Sequence, residues 1–524
     1  VLKLITPGKE IDQDDEGYTP DSIALDLLDE LKERIEPLED FRAYLENAPL
    51  GNAGDVGEHQ QFPGIMELRE MSKNNYAKLI VSATTDRLGI LGFRTGAAND
   101  EFGDKQATEA FERDDMGTGA PEAMSLACGY RTAYLYVDPL TKRQRVVPPT
   151  NGAVARDVSG EPASAIVLFR DRLLHRDVMH LYMRDIDEAT GEAVGSPFLY
   201  VAVRDIPNEK ALRRKGRFDT LKVTRNDSEV PLDRKIATGW VWWKSQRLSI
   251  SKVPVTTLKN KDGENEFESH TDVIDRLNHM IFQRVIIATM QSFRQRAVRG
   301  DFPLKGEDGK EIDYDEMFGL GPGSLWLLPK DSEMWESTPP QFQDILSSVK
   351  DDTRDLASST YTPMSYFSDS ANNSAEGAAL QRENYISKVS DRRRRFGARW
   401  KRHISILFEV LGDTERSDEE QIEVIWQPLQ VESLAQRVQA FSALTGSGMS
   451  AKTAMREALG FTPQEIKRAI DEGTHELFVK QAQAISEDTA LKRRSFGSGG
   501  DNGGGNNNGG GASGGLAAAA NREA

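Results

Sequence analysis

The sequence predicts an α+β fold, and three patterns in it predict that class. Apolar residues alternate in short runs between residues 130 and 258, a helical period takes over at residue 271, and one helical pattern continues from 374 to 411. With 524 residues, 28% charged and 38% hydrophobic, the chain is long enough to bury several packed regions.

Residues 21–47 place Ile23, Leu27, Leu28, Leu31 and Ile35 at helical spacing between acidic residues, which predicts an amphipathic helix broken near Pro37. Beyond a Gly-containing stretch, "MSKNNYAKLIVSATTDRLGILGFR" at 71–94 reads as a helix and then a strand ending at Phe93 and Arg94. One helix is expected over 105–128, and "YRTAYLYVDP" alternates as a strand. The runs "SAIVLFRDR", "DVMHLYMRD", "PFLYVAVRD", "FDTLKVTR" and "TGWVWWKSQR" are separated by Gly, Asn, Asp and Pro, the punctuation of an antiparallel sheet.

From 271 to 299 the pattern is helical and apolar on more than one face, over about 40 Å at 1.5 Å per residue. A segment with Gly, Asp and Pro and a short strand "SLWLLP" follow. Helix resumes behind Pro339 and Pro340, which suit a first turn, and reaches Tyr361. "TPMSYFSDSANNS" interrupts it, and Asn373 with Glu376 has the spacing of a capping box that opens the long helix. "EEQIEVIWQPLQ" reads as a strand, 432–490 as two or more amphipathic helices around "LTGSGMSAK" and "LGFTPQE", and the Gly- and Asn-rich end as a disordered tail.

Lys plus Arg total 66 against 83 Asp plus Glu, a formal net charge of −17, so the chain as a whole repels nucleic acid and anionic membranes and any DNA contact is local. The one cysteine, Cys128, excludes an intramolecular disulfide and points to folding in a reducing cytoplasm. Its context, "SLACGY", is that of a small buried residue ending a helix. No basic region followed by a long apolar stretch opens the sequence, and Gln283 and Arg284 interrupt its most apolar helix, so neither secretion nor membrane spanning is expected.

No phosphate-cradling run of the G-x-x-x-x-G-K-S/T type occurs, so ATP hydrolysis is not expected. His175 and His180 lack a third ligand at metal spacing, and neither metal nor cofactor is expected. The acidic pairs Asp14 and Asp15, Asp351 and Asp352, and Glu419 and Glu420 lie in hydrophilic contexts and read as solvated charge. Trp240, Trp242 and Trp243 beside basic residues suit a base-stacking platform or a sheet core, and the core is the better reading. Arg392, Arg393, Arg394 and Arg395 point around the whole circumference of their helix, fitting contacts to DNA phosphate or to an acidic neighbouring subunit, or a solvated face.

The order of these elements resembles that of the portal proteins of tailed bacteriophages, in particular siphophages of actinobacteria. Asn75, Tyr76, Gly92, Phe93 and Arg94 carry the resemblance in 71–94, and Asn373, Ser374 and Glu376 carry it in 356–384. "IEVIWQPLQVES" resembles the family's return strand, and "LTGSGMSAKTAMREALG" the helix-turn-helix that follows it. The likeness covers about residues 20–490, and the acidic start and the Gly/Asn tail depart from it.

The resemblance implies a non-enzymatic, ring-forming α+β protein that makes a DNA channel at one capsid vertex, assembled in the host cytoplasm. The channel serves packaging, head-tail connection and genome ejection. Residues 1–20 would be an N-terminal extension, 21–270 the wing, 271–299 a stem helix, 300–338 the clip and 339–361 a second stem helix. Residues 362–373 would be the tunnel loop, 374–411 the long helix, 412–431 the wing return strand, 432–490 the helical crown and 491–524 the tail. The expected partners are further copies of the chain, about twelve in the ring, double-stranded viral DNA read without regard to sequence, the terminase, the head-tail adaptor, and the major capsid and scaffolding proteins. No membrane partner is implied.

Thr362, Pro363, Met364, Ser365, Tyr366, Phe367, Ser368, Asp369, Ser370, Asn372 and Asn373 would face the channel. Arg284, Arg294, Arg296 and the four arginines from Arg392 to Arg395 are candidates for phosphate contact, and Phe302, Lys305, Lys310, Phe318, Trp326 and Trp335 for docking terminase and adaptor. A ring closes through two different complementary surfaces, a role that suits Met280, Ile281, Val285, Ile286 and Met290. Two other classes fit the composition: a nucleic-acid-processing enzyme with a dispersed site, which a metal-dependent nuclease assay would reveal, and a helical scaffold or adaptor without a channel.

Overall fold

The computed structural model describes residues 2, 4–46, 72, 74–97, 103–171, 173–205, 239–292, 296–299, 333–336, 342–367, 375–429, 434–461 and 463–471. Contacts divide the chain into two units, Val1–Gln430 and Val431–Ala524.

Helix α1, Pro20–Glu33, begins where the Thr19 hydroxyl accepts from the Ser22 amide at 3.2 Å, with Pro20 in the first turn. Ala24, Leu27, Leu28 and Leu31 form its buried stripe. The break before α2, Ile35–Leu45, falls at Arg34 rather than at Pro37. The Arg34 side chain donates to the Tyr134 hydroxyl at 2.6 Å and the Gly152 carbonyl at 3.3 Å. Pro37 then sits in the first turn of α2, where its missing N–H costs nothing.

The expected helix and strand at 76–94 are α3, Tyr76–Thr85, and β1, Ile90–Arg94, with the Asn75 carboxamide capping α3 by accepting from Lys78 N at 3.0 Å. The single helix expected over 105–128 is two, α4 (Lys105–Arg113) and α5 (Met116–Tyr130). Asp115 turns left-handed between them at φ 55°, and Asp114 accepts from Arg113, Arg143 and Gln144. Burial would raise the Asp114 carboxyl's pKa, yet these donors hold it below its ordinary value. Cys128 lies near the end of α5 and is buried.

Strands β2 (Thr132–Asp138) and β3 (Arg143–Val147) pair antiparallel, and β9 (Val255–Lys259) joins β2 on its other side. Strands β4 (Gly152–Arg156), β5 (Pro162–Asp171), β6 (Arg176–Ile186), β7 (Ala193–Asp205) and β8 (Val241–Arg247) form an antiparallel meander in chain order. The run "FDTLKVTR" lies outside the described residues. Residues 8–11 run along the free edge of β8, with Gly8 N and Ile11 N donating to the Trp242 and Trp240 carbonyls at 2.8 and 3.2 Å.

Period-2 alternation sorts these strands into layers. Ile166, Leu168, Met179 and Leu181 face α1, while their neighbours Ala165, Val167 and Tyr182 face Tyr134 and Tyr136 of the three-stranded sheet. The other face of that sheet, through Leu135, Val137 and Leu258, packs on helices. The order is α1, five-stranded sheet, three-stranded sheet, helical layer.

Helix α6, Thr271–Ser292, is shorter than the expected 271–299. Residues Arg296–Arg299 are strand β10, paired antiparallel with β11, Glu333–Glu336, so their amides enter a ladder instead of a helix. The expected strand "SLWLLP" lies outside the described residues. Helix α7, Phe342–Ser359, returns against α6, with Leu356 buried beside Ile274 and Leu277 in one core. Helix α8, Ala375–Leu411, realises the long pattern, and β12, Glu423–Trp426, closes the unit by pairing antiparallel with β1.

In the second unit, α9 (Leu434–Gly446), α10 (Ala451–Ala454), a π-helical turn (Met455–Leu459) and α11 (Pro463–Asp471) flank the two expected turns. Val438, Phe441, Met455, Leu459 and Ile466 are buried there, and Gly448 supplies the left-handed turn at φ 91°.

Candidate functional site

The segment that the sequence singles out between two helices follows α7 and precedes α8. Arg276 on α6 makes a bidentate pair with Asp352 on α7, at 3.0 and 2.9 Å. Ile274, Leu277 and Ile281 are buried, whereas Met280, Val285 and Ile286 remain only half-buried in the single chain. The side chain of Met290 lies outside the described set. The β10–β11 ladder holds together the two ends of the segment 300–332 that lies between them in sequence.

A buried ion cluster ties these elements together. Glu266, just after β9, accepts from Arg392 Nε at 2.7 Å, Lys388 Nζ at 2.9 Å and Asn260 Nδ2 at 3.0 Å. Lys388 Nζ also donates to the Thr360 carbonyl at 2.9 Å, which pins the C-terminal end of α7 to α8. Burial would raise the Glu266 carboxyl's pKa, but Lys388 and Arg392 hold it down at about 2. The same burial, with Glu266 nearby, pushes the Cys128 thiol up, which leaves no reactive thiolate there. Sequence reading missed this cluster. Its signal was Lys388 and Arg392 four apart on one helix face, a repulsive pair unless an acid from elsewhere bridges them.

Between α7 and α8, Thr362 is buried and accepts from the Thr360 hydroxyl at 3.0 Å. Pro363 is half-buried, and Met364, Ser365 and Tyr366 form a 3-10 turn with Ser365 exposed. Tyr366 lies 6.4 Å from Tyr385, and Phe367 lies 5.9 Å from Tyr76, centroid to centroid. This first half of the loop is therefore anchored on α3 and α8. Ser368, Asp369, Ser370, Asn372 and Asn373 lie outside the described residues.

The four consecutive arginines separate into different roles. Arg392 is spent on Glu266 and Asp391. Arg393 donates to the Arg87 carbonyl and stacks 5.6 Å over Trp426. Arg395 pairs with Asp391 at 2.8 Å, and Arg394 is exposed. Arg284 is half-buried on α6, while Arg294 lies outside the described residues and Arg296 stands in β10. Of the docking candidates, Trp335 is in β11, and Phe302, Lys305, Lys310, Phe318 and Trp326 lie outside.

Trp240 and Trp242 are core residues of the β8 edge, and Trp242 Nε1 donates to Asp21 at 3.0 Å. Trp243 is 47% exposed, with Arg176 and Lys244 at 5.1 and 5.0 Å from its ring. His180 donates to or accepts from the Tyr136 hydroxyl at 2.9 Å, and burial pushes its pKa down to about 4. Among the described residues no three His, Cys, Asp or Glu side chains are grouped to hold a metal ion. Asp351 pairs with Arg354 on the exposed surface of α7, and Glu419 pairs with Lys252. No helix among the described residues is long and apolar enough to cross a membrane.

Residues 219–476 match the family model described as phage portal protein, SPP1 Gp6-like. No curated protein matches the chain. The matched span contains α6, the β10–β11 ladder, α7, the loop, α8 and β12.

Proposed function

The chain belongs, through residues 219–476, to the SPP1 Gp6-like family of phage portal proteins, and on that premise we propose how its parts divide the work. It is a structural protein of the virion capsid, not an enzyme, and acts in DNA packaging. Its family assembles as an oligomeric ring and works with DNA and the capsid.

In this reading α6 and α7 are the stem, and the ladder-closed segment between them is the clip that meets terminase during packaging and the head-tail adaptor afterwards. The loop at 362–373 is the tunnel loop, anchored through Thr362, Tyr366 and Phe367 so that 368–373 reaches the channel. The sheets with α1 to α5 and α8 are the wing, and α9 to α11 the crown. About twelve copies close the ring. The observation that carries this reading is the half-buried apolar surface of α6, where Met280, Val285 and Ile286, spread around the helix, leave surface on more than one face that neighbouring copies would cover. An acid-rich chain suits a conduit, because each phosphate neutralised by a fixed cation adds to a grip on the DNA.

Negative-stain imaging and native mass measurement of the purified protein test the reading. Rings with a central hole are expected. A monomer at all concentrations, or metal-dependent nuclease activity, would overturn it.

A further inference from the structure

Two helices on opposite outer layers of the first unit, α1 and α8, expose side chains of opposite charge. On α1 the residues facing away from the sheet are Asp26, Asp29 and Glu33, all exposed, at i, i+3 and i+7 on one stripe. Lys32 stands beside them, 3.9 Å from Asp29. On α8, beyond both sheets, Arg394, Arg395 and Arg399 are exposed, spread over about 140° of the helix. Arg395 is paired with Asp391, but neither Arg394 nor Arg399 has a carboxylate partner among the described residues.

The basic side is reinforced where the β4–β5 turn reaches α8. Arg156 at the end of β4 is close enough to Arg399 and Arg402 to feel both charges, and burial together with these two neighbours lowers its affinity for a proton. Glu161 pairs with Arg402 at 2.7 Å. Arg402 is 7% exposed, and its Nε has no hydrogen-bond partner. Guanidinium groups gathered with too few carboxylates are poised for an anion supplied from outside, and their planar fork fits a carboxylate.

Resting on the portal reading, we propose that the α8 face, through Arg394 and Arg399, docks on the Asp26, Asp29 and Glu33 face of α1 in the next copy of the chain. A head-to-tail ring requires two different surfaces that complement each other, and these lie on opposite outer layers of one unit with opposite charge. The occupant is a second copy rather than nucleic acid because the chain carries 83 acidic against 66 basic residues, so its own carboxylates are the anions at hand in a ring.

The test is a charge swap in the full chain, read as the protein concentration at which half the molecules are in rings. Arg394→Glu with Arg399→Glu, and separately Asp26→Arg with Asp29→Arg and Glu33→Arg, are each expected to raise that concentration about tenfold or more at low salt, less at high salt. Combining both sets restores the parent value if the two faces meet, and this rescue also excludes misfolding as the cause. Parent-like assembly by both single-face variants, or no rescue in the combination, overturns the proposal while leaving the portal reading intact. Normal rings with weakened DNA binding in the arginine variant alone would assign the face to phosphodiester and overturn the copy-to-copy contact. A parent protein that never forms rings fails the portal reading itself, before any variant is made.

Discussion

Replacing Glu266 with Gln keeps the shape of the buried cluster and removes the carboxylate at its centre. Lys388, whose side chain is 6% exposed, would then have no counter-charge, and Arg392, 9% exposed, would keep only the part-exposed Asp391. Breaking a buried pair in this way costs about 3–5 kcal/mol, because a charge remains desolvated without compensation. The carboxyl's depressed pKa gives a second route to the magnitude. A value of about 2 in the folded chain, against an ordinary 4.5, corresponds to a stabilisation on the order of 3 kcal/mol. Since the folded-state value is the lower one, that stability is complete above pH 4.5 and is lost as pH falls toward about 2. Urea unfolding of parent and Glu266→Gln, followed from pH 7 down, should show a gap of about 3 kcal/mol at neutral pH that narrows through that window. Replacing all three residues by apolar ones of similar volume should be nearly neutral by comparison. A gap below about 1 kcal/mol at pH 7 with unchanged slope would refute the reasoning, since it would mean that water reaches the cluster.

Trp242→Ala should cost about 3–5 kcal/mol in urea midpoint analysis, since it empties a core site and leaves Asp21 with the Asp12 amide but without its indole donor, whereas Trp243→Ala should cost less than about 1. His403 is fully buried and held neutral, with burial pushing its pKa down to about 3 against a weaker upward pull from Asp114. Its depressed value means that its contribution is present above pH 6.5 and is lost as pH falls toward about 3, so His403→Gln should flatten the stability profile in that range relative to parent. Deleting 368–370 should leave rings in native mass spectra yet impair DNA packaging or retention, and full-length packaged genomes from that variant would count against a tunnel loop. Truncation after Phe496 should give rings of unchanged stoichiometry, because the Gly/Asn-rich end offers almost no apolar surface to offset the entropy of ordering.

Much of the fold was legible because helices and hairpins are written in neighbouring residues. The α1 stripe, the helix and then strand at 76–94 and the alternation of β5 to β8 each depend on contacts within a few positions, or on a face whose period the sequence displays. The family resemblance rested on the same local runs, and the match at 219–476 covers those at 356–384 and beyond but not the run at 71–94. What tertiary structure alone decided lies where the partner is distant. The end of α6 at Ser292 depends on β11, whose residues pair with 296–299 from across the intervening segment. The split at Asp114 depends on donors from β3, and the separation of Arg392 from Arg394 on Glu266, 126 positions earlier. Four adjacent arginines have the same local character. Which is buried and which faces outward is set by where a carboxylate lies in space, because desolvating a guanidinium is tolerable only beside its counter-charge.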